Sequence, residues 1–278
     1  MILGSRSFRS SVKWILDVIL PDRLYLKIAR VLFLFGNEKR HGSRTNFSVW
    51  TPGIFLASDP GGKSVFFCER TRFRIYHYPD GVAGRLRRIA EKYQQDEVRV
   101  NDGDTVIDIG ANIGEFALAV QEMAGRVIAL EPDPIPFNCL SQNCSVFDNI
   151  AVYQIAVSNY DGDGDFFLST KDADSSLVQP NNYTQCIKMK MRTLDALVED
   201  LQLARIGFLK VEAEGWEPEI LAGGKQALER TERVAVDAGP ERRGQSTKVE
   251  VLQMLENAGF DLTTRDDMVF GIRRAGRL

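Results

Sequence analysis

The residues with the clearest chemical content are Asp108, Gly110 and Gly114 in the run VIDIGANIG at 106–114, and Glu131 in RVIALEP at 126–132. Thr105 to Ile109 is β-branched and apolar, which suits a central parallel strand covered on both faces. Phe116, Ala117, Val120 and Met123 recur at helical spacing, so the chain passes from strand to helix through the glycines. Gly110 lets the backbone approach a ligand with no Cβ in the way. The turn through Ala111 and Asn112 then opens a helix start whose unpaired N–H groups suit a carboxylate or phosphate. Glu131, followed by Pro132, ends the next strand, where a carboxylate can accept hydrogen bonds from both hydroxyls of a ribose. One strand-helix-strand unit separates the two points, and their pairing implies a nucleoside cofactor.

The glycine spacing separates two cofactor classes. The dinucleotide fingerprint needs glycines at its first, third and sixth places, but counting from Gly110 puts Asn112 and Glu115 at the third and sixth. Glu115 would sit near a pyrophosphate's negative charge, so nicotinamide chemistry is the weaker reading. An acid two residues before the first glycine, with the next glycine four later, resembles the first motif of S-adenosylmethionine-dependent methyltransferases. That resemblance implies that Asp108 faces the methionyl part of the cofactor, through water or its amino group.

A second concentration of chemistry is IGFLKVEAEGWE at 206–217. Ile206 to Leu209 is apolar, and charge begins at Lys210, Glu212 and Glu214, which an extended chain would place on one face. Charges at the carboxyl end of a buried strand are costly unless paired or used. Methyl transfer needs alignment and, for a hydroxyl acceptor, a route for its proton. Glu212 or Glu214 could take that proton, and Lys210 could hold the pair or stabilise a developing alkoxide. An internal Lys-Glu salt bridge that only fixes the turn is the alternative.

VIDIGANIGEFAL, ALEPDP, MRTLDAL at 191–197 and FLKVEAEGWEPEILAGG at 208–224 resemble, in order and spacing, the FkbM family of methyltransferases over roughly 98–239. The usual last block has Asp where this chain has Glu212 and a small residue where it has Trp216. The resemblance implies O-methylation of a sugar, a glycan or a polyketide-like product. It also implies that Gln154 and Ala156, at the end of the third strand, lie where methyltransferases contact adenine. A catalytically inactive cofactor-binding or assembly protein, with Glu212 and Trp216 marking drift, is the alternative.

These residues need a fold that brings strand ends together. From Val98 onward, strands near 105–109, 126–131, 150–156, 206–212 and 233–237 alternate with helices near 113–124, 134–146, 193–202, 216–229 and 247–258. Such alternation predicts a doubly wound, mostly parallel α/β sheet. DLTTR and MVFGIRR read as a closing antiparallel pair, as the resemblance also implies, and with it comes the expectation of the seven-stranded, Rossmann-like sheet of class I methyltransferases. Thr193 is a plausible N-cap, with Asp195 in its helix's first turn, and Thr247 with Glu250 reads as a capping box. Residues 1–95 are expected to form an accessory region, with a helical stretch at 10–35 and SVFFCE and FRIYHYP as a strand pair. Residues 96–278 form the cofactor-binding domain in this reading. His77 is a natural general base or acceptor contact, although a lone histidine among aromatics also packs well. The polar stretch 158–190 breaks the alternation after the third strand and should sit above the carboxyl edge, where Ser175 and Ser176 could touch acceptor or cofactor.

Composition agrees with an enzyme of one large core, or of a core plus a small accessory region. The 278 residues are 44% hydrophobic and 26% charged, and a net charge of -3 gives no polyanion-binding signature, so nucleic acid is not expected as a substrate. Cys68, Cys139, Cys144 and Cys186 show no CxxC pairing and read as reduced and mostly buried. No metal is assigned, although Glu212, Glu214 and Asp237 together could hold an oxygen-liganded ion. The apolar N-terminal runs are interrupted by Lys13, Asp17, Arg23, Lys27 and Arg30, so no integral membrane segment is predicted and the cytoplasm is the expected location. The apolar face of that helix could dock on the core, on a second copy of the chain in a homo-oligomer, or on a membrane surface.

Overall fold

The computed structural model describes residues 21–29, 45–68, 77–169, 175–179 and 183–274. Two compact units, Met1–Arg85 and Leu86–Leu278, divide the chain. The first holds helix α1 (Asp22–Ala29) and an antiparallel sheet of β1 (Asn46–Thr51), β2 (Ile54–Ser58) and β3 (Ser64–Cys68), in that order. Phe55 and Phe67 come from facing positions of β2 and β3 and stack at 5.3 Å, while Phe67 also meets Tyr78 at 6.2 Å. The segment SVFFC pairs with β2, and most of its expected partner FRIYHYP lies outside the described residues. Of the expected helix at 10–35, only Asp22–Ala29 falls among them.

Helix α2 (Gly81–Tyr93) carries the chain into the second unit. There follow β4 (Thr105–Ile109), α3 (Glu115–Val120), β5 (Arg126–Leu130), α4 (Pro134–Cys144) and β6 (Ile150–Tyr153). Next come β7 (Ala156–Ser158), β8 (Gly162–Leu168), β9 (Gln185–Thr193), α5 (Leu194–Asp200) and β10 (Ile206–Val211). The chain continues with α6 (Glu217–Ala222), α7 (Lys225–Glu229), β11 (Thr231–Asp237), α8 (Lys248–Asn257), β12 (Phe260–Arg265) and β13 (Met268–Arg273). The main sheet has the order β12-β13-β11-β10-β4-β5-β6, parallel except for β13. This is the doubly wound, seven-stranded architecture, with the order reversing between β4 and β10.

Strand periodicity sorts the core into two layers. Ile107, Ile109, Ile128, Leu130, Leu209 and Val236 pack on one face. Val106, Val127, Phe208 and Ala235 pack on the other, with Tyr93 and Phe116. Each fully buried large side chain contributes about 1.5–3 kcal/mol. Ile89 and Tyr93 belong to this second layer, so the compact unit begins before the expected boundary at residue 96.

Several local expectations change. The expected strand 150–156 is two: β6 ends at Tyr153, and β7 joins a separate sheet of order β7-β9-β8. The helix expected at 216–229 is also two, because Gly223 runs against β7; a Cβ there would meet the Ser158 carbonyl oxygen at 2.2 Å. Thr193 does cap α5, accepting from the Ala196 N–H at 3.2 Å. Thr247 makes no side-chain cap; its hydroxyl donates to Glu217 Oε2 at 2.9 Å, because a buried carboxylate is the stronger partner. The four cysteines are free, and Cys186 is exposed. Among the described residues no helix is long and apolar enough to cross a membrane.

Candidate functional site

Parallel strands put all their carboxyl ends at one edge, so Gly110, Glu131, Glu212 and Asp237 gather there from β4, β5, β10 and β11. The crevice where the order reverses, between β4 and β10, is the ligand position of open α/β sheets. Gly110, with φ +70, is pressed against the next strand's exit: a Cβ would lie 1.8 Å from the Glu212 carbonyl oxygen. Asn112 and Gly114 continue the turn with φ of 52 and 89. Gly110 and Ala111 both donate their N–H groups to the Leu130 carbonyl, tying the turn to β5.

Glu131 locks this half together. Its Oε2 accepts from the Asn112 N–H and its Oε1 from the Asp133 N–H, each at 2.8 Å. Burial pushes the carboxyl up to about 8 against those two bonds, with the Asp133 charge adding to the rise. Pro132 is half-buried beside it. Each Glu131 oxygen keeps a second lone pair, and Asn112 Oδ1 is buried with no hydrogen-bond partner. A ligand rich in hydroxyl and amino donors fits such a set.

The other half is a chain of charges on one sheet face. Lys210 lies opposite Asp108 in the β4-β10 register and both are almost fully buried, with Nζ 3.0 Å from Asp108 Oδ1. That contact is an ion pair off hydrogen-bond angle, and neither Asp108 oxygen completes a hydrogen bond. Lys210 donates instead to the carbonyls of Ile109 and Gly110, at 3.1 and 2.7 Å. It reaches Glu212 Oε2 at 3.4 Å. Burial opposes its charge, but Asp108 and Glu212 outweigh burial and raise its pKa. Lys92, at the end of α2, then spans Glu212 Oε1 at 2.9 Å and Asp237 Oδ2 at 2.8 Å. Both ammonium groups lie over the Tyr93 ring, at 4.7 and 5.1 Å from its centroid. Burial alone would raise the Glu212 carboxyl, but Lys210 and Lys92, with hydrogen bonds from Tyr93 and Lys92, hold it down to about 2.

The expected alternation of Lys210, Glu212 and Glu214 stops short, because β10 ends at Val211 and the chain turns. Glu214 and Gly215 take φ of 50 and 91. Lys210 therefore joins Asp108 to Glu212 instead of holding a Glu212–Glu214 pair. Buried Glu217 shapes this turn by accepting from the N–H groups of Ala213 and Gly215, each at 3.0 Å. Arg242 Nε donates to the Gly215 carbonyl at 2.7 Å.

Ser175 and Ser176, the two serines expected at the site, reach the same edge on opposite sides. Ser175 Oγ donates to Asp133 Oδ2 at 2.7 Å, and Ser176 Oγ donates to the Glu214 carbonyl at 3.0 Å. Gln154 is exposed just beyond β6, whereas Ala156 is buried in the satellite core of Phe166, Leu168, Met189 and Met191 and so packs there instead of ending the third strand. His77 is exposed in the first unit. The Lys92 ammonium occupies the place between Glu212 and Asp237 that an ion would take. Among the described residues no three His, Cys, Asp or Glu side chains converge as a metal site.

Sequence reading missed Lys92, Tyr93 and Glu217. Lys92 lies 120 positions from Glu212, and the only local signal was a Lys-Tyr pair closing an amphipathic helix. Glu217 offered a weak one, an acid next to a proline at a helix start.

Residues 108–262, more than half of the chain, match the Methyltransferase FkbM domain. The chain is 25% identical over 176 residues to the 2-O-methyltransferase NoeI of Sinorhizobium fredii, covering 57% of this chain and 72% of that protein. It is 26% identical over 212 residues to the 31-O-demethyl-FK506 methyltransferase FkbM of Streptomyces tacrolimicus, covering 64% and 80%. With the hexuronic acid methyltransferase AglP of Haloferax volcanii it shares 28% over 224 residues, covering 79% and 89%.

Proposed function

The chain belongs to the FkbM family of S-adenosylmethionine-dependent methyltransferases, and from that premise we propose that it methylates a hydroxyl oxygen of a sugar, a glycan or a polyketide-like product. The observation that carries this reading is the meeting, at one sheet edge, of a backbone-built nucleoside cradle and a chain of fixed charges. Relatives named for a 2-O position and for 31-O-demethyl-FK506 support the oxygen acceptor, and one named for a hexuronic acid supports a sugar.

When bound, S-adenosylmethionine supplies the electrophilic methyl group and the leaving group. In our reading Glu131 takes the ribose hydroxyls, while the turn at Gly110, Ala111, Asn112 and Gly114 supplies close backbone. Pro132 and Gln154 border the same edge, and Asp108 acts from beneath the turn through Lys210. Glu212 is the fixed, ionised acceptor that receives the substrate hydroxyl's hydrogen bond and orients its oxygen. A carboxylate held at about 2 is a weak base, so Glu212 aligns more than it abstracts. Glu214, on the adjoining turn, is the second acid to which the proton can pass. Ser175 and Ser176 fix the two sides of the crevice, and the acceptor is a small molecule or a glycan.

The test uses methyl-labelled S-adenosylmethionine with a panel of hexuronic acid glycosides, neutral sugars and hydroxyl-bearing macrolides. Label should appear as an acid-stable methyl ether on one acceptor class. Label found only on nitrogen or carbon would refute the oxygen acceptor.

A further inference from the structure

We propose that Lys92 is a positioning residue of the acceptor half: it clips together the carboxylates that end β10 and β11, and so fixes Glu212 in place as an ion. The inference rests on the reading of Glu212 given above. It also takes the site outside the segment that matches the family, since Lys92 precedes residue 108.

Period-2 geometry puts Asp108, Lys210, Glu212, Ala235 and Asp237 on the sheet face that α2 covers. On that face β4, β10 and β11 supply at their carboxyl ends three carboxylates, Asp108, Glu212 and Asp237, and one ammonium, Lys210, while Glu131 lies on the far side at the end of β5. Lys210 is already committed to Asp108 and to two carbonyls, so it cannot balance Asp237. The missing charge comes from α2, whose last turn lays Lys92 across both remaining acids and seats Tyr93 beneath the two ammonium groups. A single long side chain meeting two acids from adjacent strands fixes both rotamers at once. A surface ion pair would contribute little, but the Glu212 side chain is only 29% exposed and the Asp237 side chain 12%. The groups facing Glu212 are Lys92 and Tyr93 from α2, Asp108 from β4, Lys210 from β10, Asp237 at the end of β11 and Glu241 in the turn after it. Of these only Lys92 and Lys210 favour its charged form through charge, and removing Lys92 leaves Lys210 alone against Asp108, Asp237 and burial, since Glu241, pushed up to about 8, holds its proton where Glu212 titrates.

The experiment follows the Glu212 carboxyl by 13C NMR in protein labelled at glutamate Cδ, with Glu212→Gln assigning the signal. In the unaltered protein that signal should titrate well below the ordinary glutamate value of about 4.3. In Lys92→Met its titration should rise by two pH units or more, and Lys92→Arg should restore it. Lys92→Gln, which keeps a donor but no charge, serves in place of Lys92→Met if the latter does not fold, with the same expected rise. Calorimetry with S-adenosylhomocysteine should show affinity within about twofold of the unaltered protein in each variant. An unmoved titration in both uncharged variants overturns the proposal, and so does a tenfold loss of S-adenosylhomocysteine affinity in Lys92→Arg. A tenfold loss in Glu212→Gln, with the Lys92-dependent shift intact, would instead refute only the assignment of Glu212 to the acceptor.

Discussion

The two halves of the crevice are built from different materials. The half we assign to the cofactor is made of backbone: Gly110, Ala111 and Asn112 are held by N–H bonds to Leu130 and Glu131, all within one strand-helix-strand unit. The half we assign to the acceptor is made of side-chain charge, with Asp108, Lys210, Glu212, Lys92 and Asp237 drawn from four elements far apart in the chain. A backbone cradle tolerates no added atom but carries little charge, whereas the charge chain is sensitive to the removal of any one ion and to pH. The first is therefore suited to a constant ligand, and the second to alignment and proton handling.

The largest effect should come from a methyl group placed between the halves. Gly110→Ala would drive a Cβ into the Glu212 carbonyl in a left-handed backbone, so S-adenosylhomocysteine affinity should fall by about 100-fold, or roughly 2.7 kcal/mol. Near-normal affinity in calorimetry would mean the two strands can part, and the contrast of rigid cradle and charged network would fail. Glu212→Gln keeps shape and removes charge. Methyl transfer to the acceptor found in the screen should fall by about 100-fold with cofactor affinity little changed. A destabilised but fully active Glu212→Gln would make the network structural only.

Glu131→Ala tests the cradle from its other side. It removes charged hydrogen bonds worth roughly 1.5–3 kcal/mol each, so S-adenosylhomocysteine should bind about tenfold or more weakly. An unchanged dissociation constant would remove Glu131 from the cofactor half. The pH dependence sharpens the same point. With Glu131 raised to about 8, the free protein holds that proton at neutral pH, and ribose hydroxyls need the carboxylate. Affinity should rise close to tenfold from about pH 6 to 7, flatten above about pH 8, and be accompanied by proton release. A flat profile in calorimetry would contradict it. The stability terms have opposite signs. Glu131, raised on folding, favours the folded state below its ordinary pKa, and that contribution is lost as pH rises through about 8. Glu212, lowered on folding, stabilises above its ordinary pKa, and that contribution is lost as pH falls through about 2. The smallest effect is away from both halves: Thr193→Ala should cost about 1 kcal/mol in denaturant unfolding, and Thr247→Ala should act through Glu217 and the 213–215 turn instead of through α8.

The sequence by itself determined the sheet, the glycine turn and the edge at which they meet. Runs such as TVIDI and RVIAL, short, β-branched and bounded by turn residues, suit buried strands, and Gly110 and Glu131 mark their ends within a span where local geometry dictates the outcome. It also placed Lys210 and Glu212 at a strand end and Thr193 at a helix cap. It did not determine where strands break, so Ala156 moved to a second sheet, and Thr247 turned from a cap into a partner of Glu217. Tertiary structure alone decided the charge pairing. Which ammonium meets which carboxylate depends on the β4-β10 register and on where α2 crosses the sheet, neither of which is encoded in spacing along the chain. Period-2 alternation says which face a charge occupies, but only the packed sheet says that Lys210 faces Asp108 and that Lys92, over a hundred residues earlier, completes Glu212.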